Sequence, residues 1–365
     1  MNVVYLIIFY AVICSCMIVF NIFATIYGKG SSKINSIKTK IYSKKIKEQL
    51  KKIEKGSNID SEHLKYLKRK LKHGNELVIF DSVISRYKKH ENKCIDAYLK
   101  DCKEIFISLM YHYDKKSNTE KAYYLSVIRD YNLLYDNKNK EIERILFESL
   151  QDESFYCRDN AYLAICKLGS PNKLCEALIN ISNSNKFFHN NLISNGLNIY
   201  NGNTEVLIKM LMSRFDKFRD DIKCSVIEYL SYYDSRYSKF VYSLLLSQDT
   251  DKNLKISCLR YFEYTYYKDA EKLIIKYVNE YFDTDLELCL SAVKALRNYT
   301  SKESISTITK AIYSKNFKLR NIACESLAVI MLGMDARDLE DFSLEEEVSD
   351  VYNYHIRKNM KKVVK

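Results

Sequence analysis

Proline occurs once in this 365-residue chain, glycine eight times and tryptophan never. Proline and glycine are the residues that interrupt helices, costing roughly 3 and 1 kcal/mol against alanine. Their scarcity favours an all-α chain. The sequence is as poor in catalytic signatures. It has no G-x-x-x-x-G-K-[ST], and Gly28-Lys29-Gly30 is too little for a phosphate loop. It has no H-E-x-x-H, no G-x-S-x-G and no C-x-x-C. His63, His73, His90, His112, His189 and His355 are scattered, none with a second ligand at helical spacing. Acidic pairs such as Asp220-Asp221 read as solvated helix residues. These absences argue against a catalytic centre, a bound metal or a cofactor. The eleven cysteines are odd in number and lack the spacing of a secreted scaffold, so they read as reduced, small apolar residues.

One long apolar run is present. Val3 to Ile26 carries no charge, and as a helix it spans about 36 Å against a hydrocarbon core of about 30 Å. A cleaved signal peptide needs a basic start and a shorter apolar stretch, and only Met1-Asn2 precede this one. Ile13-Cys14-Ser15-Cys16 is a weak match to a lipoprotein cleavage box. The expectation is an uncleaved membrane anchor over 1–27, bounded by Val3 and Ile26. Between Lys29 and His73, fifteen Lys/Arg against four Asp/Glu leave +11 of the chain's +12. Basic residues beside a span stay cytoplasmic, which puts the N-terminus outside and everything after Tyr27 inside.

Residues 28–75 read as a basic helical stalk. Ile34, Ile37 and Ile41 share a helical face; Ile46, Leu50 and Ile53 continue it after a phase slip. Gly56-Ser57-Asn58 then breaks the pattern, and Asp60 or Ser61 caps a second helix with Leu64, Leu67 and Leu71. Lys38, Lys40, Lys44, Lys45, Lys47, Lys51 and Lys52 are placed to meet an anionic membrane surface, worth about 1 kcal/mol each. No aromatic stacking platform accompanies them, so nucleic acid is not the expected partner.

From residue 76 to 335 the chain repeats, most clearly over 145–335. In YCRDNAYLAICKLGSP, Cys157-Arg158 leads to Ala161, then Ala164-Ile165, then Leu168-Gly169. The line recurs at Leu192, Ile222, Cys258, Ala292 and Ala323, at intervals of thirty to thirty-six residues. Each interval holds two helices. Lys173–Ile179, Val206–Leu211 and Glu271–Tyr277 are first helices; Asp152, Asp216, Asp251, Asp285 and Asn316 are candidate caps of the second. Small residues at Ala161, Ala292 and Ala323 let paired helices approach closely. Gly169 suits a left-handed helix end, and Pro171 stops continuation. Ala122, in KAYYLSVIRDYNLL, and the helix of CIDAYLKDCKEIFISLMYHY extend the array upstream. Residues 336–365 are expected to supply a capping helix and tail, acidic over 335–350 and basic at the end.

Apolar-Arg, Ala, Ala-Leu, Leu-Gly resembles the second helix of HEAT repeats, closely around Ala161, well around Ala292 and Ala323, and poorly around Leu192. The resemblance implies an α-solenoid of helical hairpins. It implies that Asp152 with Arg158, and the arginines Arg219 and Arg320, tie neighbouring repeats together. It also implies a protein-binding scaffold or an accessory subunit. Anchored HEAT proteins of this layout serve membrane glycan synthesis, so the implied partner is a membrane-associated protein. An alternative is a HEAT-like enzyme or enzyme regulator of the lyase type, though no residue set carries over from bilin lyase subunits. A nucleic-acid-binding solenoid is the weaker alternative: the basic excess lies outside the repeats and Trp is absent.

Overall fold

The computed structural model describes residues 3–90, 93–135 and 139–332, side chains 3–9, 11 and 21–32 excepted. Seventeen α-helices, two 3-10 turns and no strand occur among them. The chain divides into two compact units, Met1–Leu168 and Gly169–Lys365.

The first unit holds α1 (Val3–Glu54), α2 (Ser61–Lys70), α3 (Gly74–Lys89), α4 (Ile95–Tyr113), α5 (Asn118–Asp130), α6 (Lys140–Ser149) and α7 (Phe155–Cys166). α1 is one unbroken helix where the sequence suggested an anchor followed by a separate basic helix. Gly28 and Gly30 each cost only about 1 kcal/mol and do not break it. It ends at Gly56, whose φ of 77° lets Ser57 N–H return to Lys52 O at 2.9 Å. Among the described residues no helix is long and apolar enough to cross a membrane. Val3, Ile26 and most of the run between them lie where side chains are outside the described residues.

The segment read as a stalk enters the core of this unit. Tyr42, Ile46 and Leu50 are buried as α1 packs on α3 and α4, and Leu67 and Leu71 are buried as α2 packs on α4. Ile34, Ile37 and Ile41 do not share that face: they point about 150° away around the helix and are exposed. α1, α3, α5 and α7 pack each on the next. Aromatic rings link α1, α3, α4 and α5, Tyr42 to Phe80 to Phe106 to Tyr124, the last stacked on Tyr113 at 4.3 Å. α5 starts on the Ser117-x-x-Glu120 capping box, Ser117 Oγ accepting from Glu120 N–H.

The second unit holds α8 (Pro171–Ser182), α9 (Asn190–Asn198), α10 (Thr204–Ser213), α11 (Asp220–Tyr233), α12 (Ser238–Leu246), α13 (Lys252–Tyr264), α14 (Ala270–Tyr281), α15 (Leu286–Leu296), α16 (Lys302–Ile312) and α17 (Phe317–Leu332). α9, α11, α13, α15 and α17 form one row, each against the next. Hairpin partners lie beside them: α12 on α13, α14 on α15, α16 on α17. Ala292, Ala295, Ala323 and Ser326 are buried where these helices cross. The register at α9 differs from the sequence alignment by one residue. Ile193, not Leu192, is buried, with Gly196-Leu197 in place of the Ala164-Ile165 pair. The segment His189–Asn191 supplies no apolar residue to set the helical phase.

Gly169 has a φ of 75°, as its place after Leu168 required, and Pro171 opens α8. The caps Asp251, Asp285 and Asn316 accept from the expected backbone amides. Two others do not cap. Asp216 lies in the 3-10 turn Phe215–Lys217, and Asp152 accepts from Ser154 N–H while Ser154 stands at the start of α7. The capping helix and tail expected over 336–365 lie outside the described residues.

Candidate functional site

The three repeat arginines act on backbone. Arg158 Nη1 donates to Asp152 O at 3.0 Å and Glu153 O at 3.1 Å. Arg320 Nη1 repeats this with Ser314 O at 3.0 Å and Lys315 O at 3.5 Å. Each guanidinium also lies over an aromatic ring three residues back, Phe155 and Phe317. Arg219 Nη1 donates to Ser184 O at 3.1 Å in the previous hairpin, and its guanidinium grips Asp221 with two bonds of 2.8 Å. The expected Asp152–Arg158 carboxylate pair is therefore replaced by turn carbonyls. The Asp152 carboxylate faces Lys121 at 3.6 Å.

Sequence reasoning missed the tyrosines. Tyr200 donates to Gly169 O, Tyr277 to Leu245 O and Tyr299 to Tyr267 O, at 2.9 to 3.1 Å and 31 or 32 residues back. Tyr261 donates to Asp234 O at 2.9 Å, and Tyr113 in the first unit to Leu71 O at 2.7 Å. A buried phenol thus satisfies a turn carbonyl one repeat away, which Phe cannot do. No signal in the sequence singled them out, because Tyr is abundant throughout the chain. Gly202 belongs to one of these ties: a Cβ there would stand 2.1 Å from Tyr200 Oη.

Two surfaces remain once the structural roles are assigned. The first is on α1. Lys38 pairs with Glu76 at 2.6 Å, Lys45 lies 3.5 Å over the Tyr66 ring, and Lys52 pairs with Asp60 at 2.5 Å. Lys40, Lys44, Lys47 and Lys51 are exposed. The seven lysines thus divide, three held against the first unit and four turned to solvent. Beside them a cleft of about 610 Å³ is lined by Lys45, Glu48, Gln49, Asp60, His63 and Tyr66, among others. Burial, and then Lys45, lower the His63 pKa to about 4; its Nε2 is 2.8 Å from Tyr98 Oη. Nearby carboxylates and the ammonium leave this cleft with mixed charge.

The second surface is on the α9–α17 row. Tyr232, Tyr233, Tyr264 and Tyr266 are 52–62% exposed. Tyr232 meets Tyr264 at 5.1 Å across neighbouring helices, and Tyr266 meets Tyr299 at 5.2 Å. Arg260–Glu228 at 2.7 Å and Arg297–Glu263 at 2.9 Å lace the same helices and neutralise each other. The result is an aromatic strip without net charge.

Among the described residues no group of three or more His, Cys, Asp or Glu can hold a metal ion. All eleven cysteines are free, and eight are buried; burial pushes Cys166 and Cys102 up to about 12, which keeps them protonated thiols. Asp159 on α7 is half-buried with its pKa raised to about 6 by burial, against an opposing pull from Arg158.

No family model matches this chain, and no curated protein matches it. Among solved structures it is similar to the crystal structure of an engineered protein from the Northeast Structural Genomics Consortium. That likeness is at 17% identity over 64% of this chain and 92% of the other, with a TM-score of 0.28. The two backbones superpose too loosely for the likeness to bear on function.

Proposed function

We propose that this protein is a membrane-tethered, HEAT-like helical scaffold that binds a membrane-associated protein on the cytoplasmic side. The observation that carries it is the second unit's surface. A row of helices repeats one packing solution and presents an exposed tyrosine strip across α11, α13 and the turn after α13. Exposed aromatic area of this kind is the chemistry of protein interfaces rather than of a solvated surface. The tether is supported by the uncharged Val3–Ile26 run and by the +11 segment that follows it. α1 joins that run to the first unit's core without a break. A tether raises the local concentration of the scaffold at the bilayer. Service to a glycan-synthesising complex is the role implied by the HEAT resemblance.

The test is fractionation of the full chain followed by crosslinking in its native membrane. The full chain stays in an alkali-washed membrane pellet, and deletion of residues 1–27 releases it. Crosslinked partners are lost from Tyr232→Ala/Tyr264→Ala. Full-length chain in the alkaline supernatant sinks the tether; capture unchanged by the tyrosine pair sinks the strip as the binding face.

A further inference from the structure

Among the described residues, the exposed isoleucines of α1 lie outside the core. Ile34, Ile37 and Ile41 are 56%, 52% and 45% exposed. Their spacing of three and four is that of a helix–helix seam. Winding at about 100° per residue puts Lys33, Lys40 and Lys44 along one flank of the seam and Lys38 and Lys45 along the other. Lys33, Lys40 and Lys44 are exposed and form no ion pair with a described residue.

Two occupants fail on these facts. The first is the bilayer. At about 1.5 Å per residue Ile34 stands about 12 Å, and Ile41 about 22 Å, beyond Ile26 along the unbroken helix. The headgroup layer is only about 5–8 Å deep, so the seam lies in water. The second is another copy of α1. An antiparallel pairing sets the unpaired Lys33, Lys40 and Lys44 flank against the same flank of the partner; a parallel one sets Lys33 and Lys40 against the partner's Lys38 and the partner's Lys45, which already meet Glu76 and Tyr66 and offer them no carboxylate. Like charges at these positions oppose association.

We infer that Ile34, Ile37 and Ile41 are one half of a helix–helix interface, whose other half is an amphipathic helix with acidic residues flanking its apolar seam. This rests on the tether reading for the seam's distance from the bilayer; the charge and spacing stand without it. The interface is a docking site separate from the tyrosine strip, on the other unit.

The experiment uses the full chain in nanodiscs of uncharged phosphatidylcholine. The probes are two fluorescein-labelled synthetic four-heptad peptides, with Ile and Leu at the seam and either Glu or Lys on both flanks. Fluorescence anisotropy at low salt is expected to show at least tenfold tighter binding of the Glu peptide. Ile34→Ser/Ile37→Ser/Ile41→Ser lowers that affinity at least tenfold. Lys33→Glu/Lys40→Glu/Lys44→Glu reverses the preference to the Lys peptide, a gain that misfolding cannot produce. Equal affinity for the two peptides, binding of neither, or indifference to both sets of substitutions overturns the inference. A dimer of the full chain dissolved by the isoleucine substitutions overturns it in favour of a second copy. The chain has no tryptophan, so single indoles report depth. Quenching of Ile37→Trp by brominated lipid places the seam in the bilayer and overturns it. Absence of quenching at Phe20→Trp sinks the tether instead and leaves the peptide result standing.

Discussion

Ala292 lies on α15, which packs on α13 and α14; it is completely buried, and its side chain is a single methyl group. Ala292→Leu adds three carbons where the helices already touch, and is expected to lower stability by about 1–3 kcal/mol in a denaturant titration. A midpoint equal to wild type would show that the crossing is looser than the packing implies. Asp159 gives a pH signature. Its carboxyl is held at about 6 in the folded chain against an ordinary 3.8, so the folded state binds the proton more tightly. The stabilisation it contributes is complete below about 3.8 and is lost as pH rises through about 6. Asp159→Asn is therefore expected to raise stability at pH 7 by of order 1 kcal/mol, after allowance for its half-exposure, and to change nothing at pH 3.5. Equal effects at both values would contradict the burial assignment. His63 runs the opposite way. With a folded pKa of about 4 against 6.5, it destabilises its unit as pH falls from 6.5 towards 4. His63→Gln should flatten that part of the thermal-melting profile.

At the scale of elements, helices are joined to the next repeat by donors aimed at turn carbonyls. Tyr299 reaches Tyr267 O at 3.0 Å, and Asn298 Nδ2 reaches Phe262 O at 2.6 Å and Glu263 O at 2.8 Å from the same helix end. Tyr299→Phe leaves the ring in place and removes one of two donors to the Tyr267 carbonyl, which also accepts from Ala270 N–H. The expected loss is about 0.5–1.5 kcal/mol, read as a lower urea midpoint with unchanged slope. The repeat pattern was legible at Ala161, Ala292 and Ala323, because small residues at helix crossings recur in phase with large ones. The tyrosine ties were not, because Tyr is abundant throughout and a hydroxyl's target is set by where another turn lands. The α9 register was not legible for a related reason: His189–Asn191 offers no apolar position to anchor the phase, and burial alone selected Ile193.

For the whole chain, charge is segregated by position. Residues 29–73 hold +11 of +12, and the remaining sequence is nearly neutral. Affinity for polyanions should therefore reside in α1 and α2, and should fall steeply with salt. Lys40→Gln/Lys44→Gln/Lys47→Gln/Lys51→Gln is expected to remove most low-salt binding to duplex DNA, followed by gel shift. Salt-steep binding retained by this variant would revive a nucleic-acid role for the repeats.

Local chemistry in the sequence determined the helices, the left-handed end at Gly169, three of the caps and the recurrence of small and large residues. Each depends on side chains within a turn or two of one another, so periodicity and composition record it. Tertiary structure alone decided that Tyr42, Ile46 and Leu50 of α1 are core while Ile34, Ile37 and Ile41 face water. It decided which lysines are engaged, and that the repeat arginines and tyrosines serve turn carbonyls. Those outcomes depend on which distant segment packs against which face, and a helix with two apolar stripes does not say by itself which one will be covered.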